Sequence, residues 1–189
     1  RQILLTKKKP PTFKKITAMS LNELYKSSPF GIVSSFFYGT IQSALFTLLA
    51  VYATSMNFTI LEISIVTFLL AISGAIAQFP VGKISDFYDR RKVIIVSTFG
   101  AAMFAVFTIF VSGQMYLPDG LATSKTWFYI FFIFFSFCSL PMFSLILAHT
   151  NDYITKDKFV AAGAGLQFTF GVGAMSGPFL CSVFMDLVG

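Results

Sequence analysis

Charge is scarce in this sequence. Only 12% of its 189 residues are Asp, Glu, Lys or Arg, against about 25% in an ordinary soluble domain. A chain so poor in polar surface does not stay dissolved alone. It has one His and two Cys, and no group of residues has metal-ligand spacing. No Gly-rich phosphate loop follows a strand, and there is no paired-carboxylate or nucleophile–base set. These absences leave no ground for an enzyme, a cofactor or a bound metal. Short alternating segments, the mark of a membrane β-barrel, are missing too. Cys138 and Cys181 both fall in apolar runs and read as small buried hydrophobes rather than a disulfide. No signal peptide is expected, because the first residues are basic and broken by Pro10-Pro11.

What is present is apolar length. The sequence is 56% hydrophobic, with 25 Phe. Continuous apolar runs of bilayer length predict an all-α polytopic membrane protein. Residues 1–29 form a basic lead-in, with Lys7, Lys8, Lys9, Lys14 and Lys15 around the two prolines. These lysines lack interleaved aromatics, so an anchor at anionic lipid is expected and nucleic acid is not. Ser20 and Glu23 have capping-box spacing before a short surface helix.

Five spans follow over residues 30–189, at about 31–54, 61–83, 93–112, 127–148 and 159–185. Ser28 and Pro29 suit the N-cap and first position of the first span. That span opens polar, with Ser34, Ser35, Tyr38, Thr40, Gln42 and Ser43. Its small hydroxyls suit helix packing. Tyr38 and Gln42, four apart, share a face and are candidates for a substrate path. Glu62 stands at the start of the second span, where a carboxylate suits the helix N-terminus, and Gly74 permits close packing. Pro118, Asp119 and Gly120 make a turn. Trp127 and Tyr129 suit the headgroup layer. Pro141 is expected to bend the fourth span, and His149, Asn151 and Asp152 close it. Gly173 and Gly177 form a small-xxx-small pair in the fifth.

Of the 14 Lys and Arg residues, only Lys125 falls outside if the lead-in is cytoplasmic. The N-terminal segment and the charged hairpin near Asp86 are therefore expected in the cytoplasm, in an inner or plasma membrane protein. The chain opens on Arg1 and stops at Gly189, just after an apolar run. Both ends read as cut.

The hairpin residues Gly82, Lys83, Ile84, Ser85, Asp86, Phe87, Tyr88, Asp89, Arg90 and Arg91 resemble the G-x-L-x-D-R-x-G-R-[RK] motif of the major facilitator superfamily. Gly82, Asp86, Arg90 and Arg91 match, and Ile84 stands in for Leu. Phe87 and Asp89 depart from the usual Arg and Gly, as in the weaker second copy between that family's helices 8 and 9. One span precedes the helix into the hairpin, so the five spans resemble helices 7–11 of the C-terminal half. The last resembles a Gly-Pro helix of the family's antiporters, through Ala164, Gly173, Gly177 and Pro178. Residues 141–152 resemble the YcaD-like bacterial branch.

The resemblance implies a secondary transporter moving a small polar molecule by alternating access. Asp86 would form a latch against the missing N-terminal half, with Gly82, Arg90 and Arg91 shaping the hairpin. The alternative is a half-size membrane protein that oligomerises to complete the fold. None of the ionisable groups lies at mid-membrane, Glu62, His149, Asp152 and Asp186 all standing near span ends. A coupling proton would therefore be carried by the missing half, if there is one. Tyr38, Gln42, Gln78, Gln167 and Thr169 are the candidate cavity residues, able to hydrogen-bond a polar solute.

Overall fold

The computed structural model describes residues 18–114 and 121–188. The lysine cluster Lys7–Lys15 with Pro10-Pro11, the turn formers Pro118, Asp119 and Gly120, and the side chain of Asp186 lie outside the described residues. In order come α1 (Leu21–Ser27), α2 (Pro29–Ser55), α3 (Ile60–Phe87), α4 (Arg90–Gln114), α5 (Leu121–Ser139), α6 (Met142–Asn151) and α7 (Phe159–Val188). Among the described residues, five segments are long and apolar enough to cross a membrane, with α5 and α6 together making the fourth. At 1.5 Å rise per residue, even 20 residues cover the roughly 30 Å hydrocarbon core.

Local signals set the helix ends. Ser28 accepts a hydrogen bond from the Gly31 amide, and Pro29 follows as first helical residue of α2. Thr59 and Glu62 make a reciprocal capping box at α3. The link before it turns on Asn57, whose φ of 58° is the left-handed conformation that Asn tolerates. Ser20 caps α1 by accepting from the Glu23 amide. The Glu23 carboxylate reaches across to Lys158 at 2.5 Å, so this cap rests on Ser20.

The fourth span departs from the expected single bent helix. It is broken at Leu140–Pro141 into α5 and α6. Pro141 lacks the N–H that would continue the ladder, and α6 restarts with Leu145 N–H donating to the Pro141 carbonyl. The charged hairpin is also tighter than its sequence implies. Lys83 to Phe87 complete α3 and Arg90 and Arg91 begin α4, so the turn itself is Tyr88–Asp89.

Two apolar clusters hold opposite ends of the bundle. Leu49, Met56, Phe58, Leu70, Phe128 and Phe132 pack away from the hairpin. Ala77, Val81, Val93, Ile94 and Leu145 pack near it. α1 docks through Leu24, buried with Ala162 and Leu166 of α7. The outer surface is apolar as well: Phe68, Phe79, Phe99, Phe110 and Phe179 are all exposed. Lipid is the solvent that makes such a surface stable.

α2 and α7 touch backbone to backbone. A Cβ on Gly173 would lie 2.0 Å from the Phe36 carbonyl oxygen, on Gly177 2.2 Å from that of Thr40, and on Gly39 2.2 Å from that of Phe170. Hydroxyls stitch the seam. Ser35 donates to the Leu166 carbonyl (2.8 Å), Thr40 to that of Gly173 (3.1 Å) and Ser43 to that of Ala174 (2.7 Å). The polar opening of the first span is thus largely a packing seam.

At the end remote from the hairpin, Lys125 of α5 contacts the Glu62 carboxylate at 2.7 Å and sits 4.8 Å from the Phe58 ring centroid. This clamp joins the starts of α3 and α5. Lys125→Met is expected to cost about 1 kcal/mol in thermal unfolding of the full-length protein. Glu62→Gln, which keeps a cap acceptor, should cost less. An unchanged unfolding midpoint in Lys125→Met would contradict the clamp.

Candidate functional site

Four of the five candidate cavity residues come together. Tyr38 and Gln42 from α2, Gln78 from α3 and Gln167 from α7 line one open concavity of about 340 Å³. The break between α5 and α6 forms its floor, through Leu140 and Phe143. Tyr38 Oη donates to the Leu140 carbonyl at 3.1 Å, and Leu140 packs onto Gly74, where no side chain would fit. α2 and α3 therefore clamp the break from two sides. Tyr38, Phe143 and Phe170 form a wall of three contacting rings, with centroids 5.5–6.4 Å apart.

Thr169 is placed elsewhere. Its hydroxyl donates to the Gly165 carbonyl of its own helix. Gln167 and Thr169 are two apart, which on a helix points them to nearly opposite faces. Gln42 stands out chemically. It is buried (9% exposed), and its Oε1 is covered without a hydrogen-bond partner. Leaving such an acceptor unpaired costs about 1–3 kcal/mol. Phe143 and Phe170 were not read as cavity residues, although Phe143 closely follows Pro141 and Phe170 stands three residues after Gln167 on the same helix face.

The second charged feature is the hairpin. Arg90 turns inward and donates to the Ala148 carbonyl of α6 at 2.6 Å. It also pairs with Asp152 at 3.1 Å and, more loosely, with Asp86 at 3.5 Å. Three elements, α3, α4 and the end of α6, thus meet at one guanidinium. Asp152 was not expected as its partner. Arg91 reaches the Tyr153 hydroxyl and lies 5.6 Å from that ring's centroid. His149, buried beside them, packs edge-on against Phe30 and Tyr153, so it is a packing residue at the helix end. The Asp86 side chain is 70% exposed, and a Cβ on Gly82 would meet nothing within 4 Å. Beyond its loose pairing with Arg90, Asp86 is open to the surroundings, and so is the side of the helix that a Gly82 side chain would occupy.

The sequence matches the model of the Major Facilitator Superfamily over residues 31–189. An uncharacterized MFS-type transporter of Bacillus subtilis, YfkF, is 28% identical over 167 residues, covering 84% of this chain and 39% of that protein. Another from Yersinia enterocolitica is 23% identical over 161 residues, covering 85% of this chain and 38% of its own. One from Methanocaldococcus jannaschii is 26% identical over 143 residues, covering 75% and 34%. The chain spans about two fifths of the length of the first two relatives. No solved structure matches. With five apolar segments of membrane-spanning length among the described residues and a family match over most of its residues, this chain is an integral membrane protein and belongs to the Major Facilitator Superfamily.

Proposed function

We propose that the chain is part of the C-terminal half of a secondary transporter that moves a small polar molecule by alternating access. The observation that carries this reading is the convergence of polar side chains from α2, α3 and α7 on one concavity floored by a broken helix. Irregular backbone at membrane depth is tolerated where it lines a cavity or is buried in protein. In this reading the hairpin lies in the cytoplasm, and the missing N-terminal half closes the open side of the concavity.

Asp86 supports the same reading. Its carboxylate is held only loosely by Arg90 and is open to a second partner. A helix N-terminus in the other half would be one, worth about 0.3–1 kcal/mol. Asp86→Asn is expected to slow transport roughly three- to tenfold with membrane abundance nearly unchanged. Wild-type rates in that variant would remove the latch.

The two-half architecture is tested by the intact mass of the native polypeptide. A mass about double the 20.9 kDa of this chain supports a two-half carrier. A mass near 20.9 kDa would replace it with a half-size protein that completes the fold by oligomerising.

A further inference from the structure

We propose that the concavity selects uncharged, flat solutes whose edge carries a hydrogen-bond donor next to an acceptor, the chemistry of a carboxamide, a lactam or a nucleobase. This rests on reading the concavity as the transport site.

Three features carry the inference. The first is the kind of polar group supplied. Gln42, Gln78 and Gln167 are all primary amides, and each presents a donor and an acceptor side by side. An amide pairs bidentately with an edge of the same kind, as Gln does with adenine. The second is the missing charge. None of the described residues lining the concavity is Asp, Glu, Lys, Arg or His. A charged solute leaving water there finds no counter-ion on this side. The third is the ring wall. Tyr38 and Phe143 lie nearly parallel at 23°, and Phe170 closes on both. Aromatic faces of this kind hold a flat solute better than a puckered one.

Gln42 ties the features together. Its Oε1 is enclosed and unpaired, while the side chain borders the concavity. A half-turn of the amide exchanges its oxygen and nitrogen at little cost in shape. The solute's donor then meets an oxygen that has no partner when the site is empty. The Tyr38 hydroxyl hydrogen is already committed to Leu140, so Tyr38 offers a solute only an acceptor and a ring face.

The test is equilibrium binding of three probes to the full-length protein in nanodiscs. Nicotinamide has a flat ring and a carboxamide. Nicotinate keeps the ring but carries a negative charge. Cyclohexanecarboxamide keeps the amide but is not flat. Nicotinamide is expected to bind at least about tenfold more tightly than either. Gln42→Leu should weaken it about tenfold or more. Gln167→Leu, at an exposed position, should weaken it as well, and Thr169→Val should not. Nicotinate binding as tightly as nicotinamide, with loss in Gln42→Leu and Gln167→Leu, would keep the site and overturn the solute class. Nicotinamide binding indifferent to both glutamines would overturn the site reading itself. Absence of saturable binding by all three probes would overturn the class.

Discussion

Gly173→Ala is expected to destabilise the full-length protein by about 3 kcal/mol, and Gly173→Val by more. The added Cβ would stand 2.0 Å from the Phe36 carbonyl oxygen. That obstacle is backbone, so no side-chain rotation relieves it. The helices must separate, and separation also lengthens the Thr40 and Ser43 bonds to α7. Gly171 supplies the control. A Cβ there meets nothing within 4 Å, and alanine is the better helix former by up to about 1 kcal/mol. Gly171→Ala should be neutral or stabilising. Thermal unfolding of the two variants in detergent, monitored by size exclusion, checks the contrast. Equal midpoints would mean that α2 and α7 do not meet at Gly173.

Arg90→Ala should cost about 2–3 kcal/mol, in the range of hydrogen bonds to charged groups. It removes the bond to Ala148 and the pairing with Asp152. The end of α6 then loses its tie to α4. The neighbouring cation is expected to matter less. Arg91 is held by Tyr153, an exposed ring, so Arg91→Ala should cost under about 1 kcal/mol. Arg90→Lys separates charge from geometry. Lysine keeps the charge but cannot address a carbonyl and a carboxylate with one planar fork, so it should rescue only part of the loss. Midpoints for Arg90→Ala and Arg91→Ala that agree would dissolve the distinction between the two arginines. Asp86→Asn differs from both, since it should touch transport and leave stability nearly intact.

Much of this fold was legible because a bilayer makes demands that sequence displays directly. Apolar length gives the spans, and Ser28-Pro29 and Thr59/Glu62 mark their starts. Gly173 and Gly177 announced a close helix contact, although their partner helix was not evident. Its reciprocal glycine, Gly39, went unread, although Gly31, Ser35, Gly39 and Ser43 recur every four residues as a small-residue stripe. Helix rotation was the harder quantity. Gln167 and Thr169 read alike as polar residues in an apolar run. Only packing decides that the first meets the concavity while the second bonds its own helix. Pro141 marked a disturbance whose extent the sequence left open. A bend and a break differ by whether neighbours stabilise the freed backbone, and here Tyr38 does so from α2. The inward turn of Arg90 was hidden for a similar reason. The hairpin motif draws attention to Asp86, whereas the nearest acceptors for Arg90 lie at the end of α6, some 60 residues on.

The most direct test of alternating access about the concavity is two-sided labelling at Gln78. Gln78 is exposed and borders the concavity. In the full-length protein, Cys138, Cys181 and any further cysteines are replaced by serine, and Gln78→Cys is introduced. Vesicles of each orientation are then treated with a membrane-impermeant maleimide. A site that opens alternately to the two compartments predicts labelling from both faces of the membrane. Labelling from one face only, under every condition tried, would contradict it.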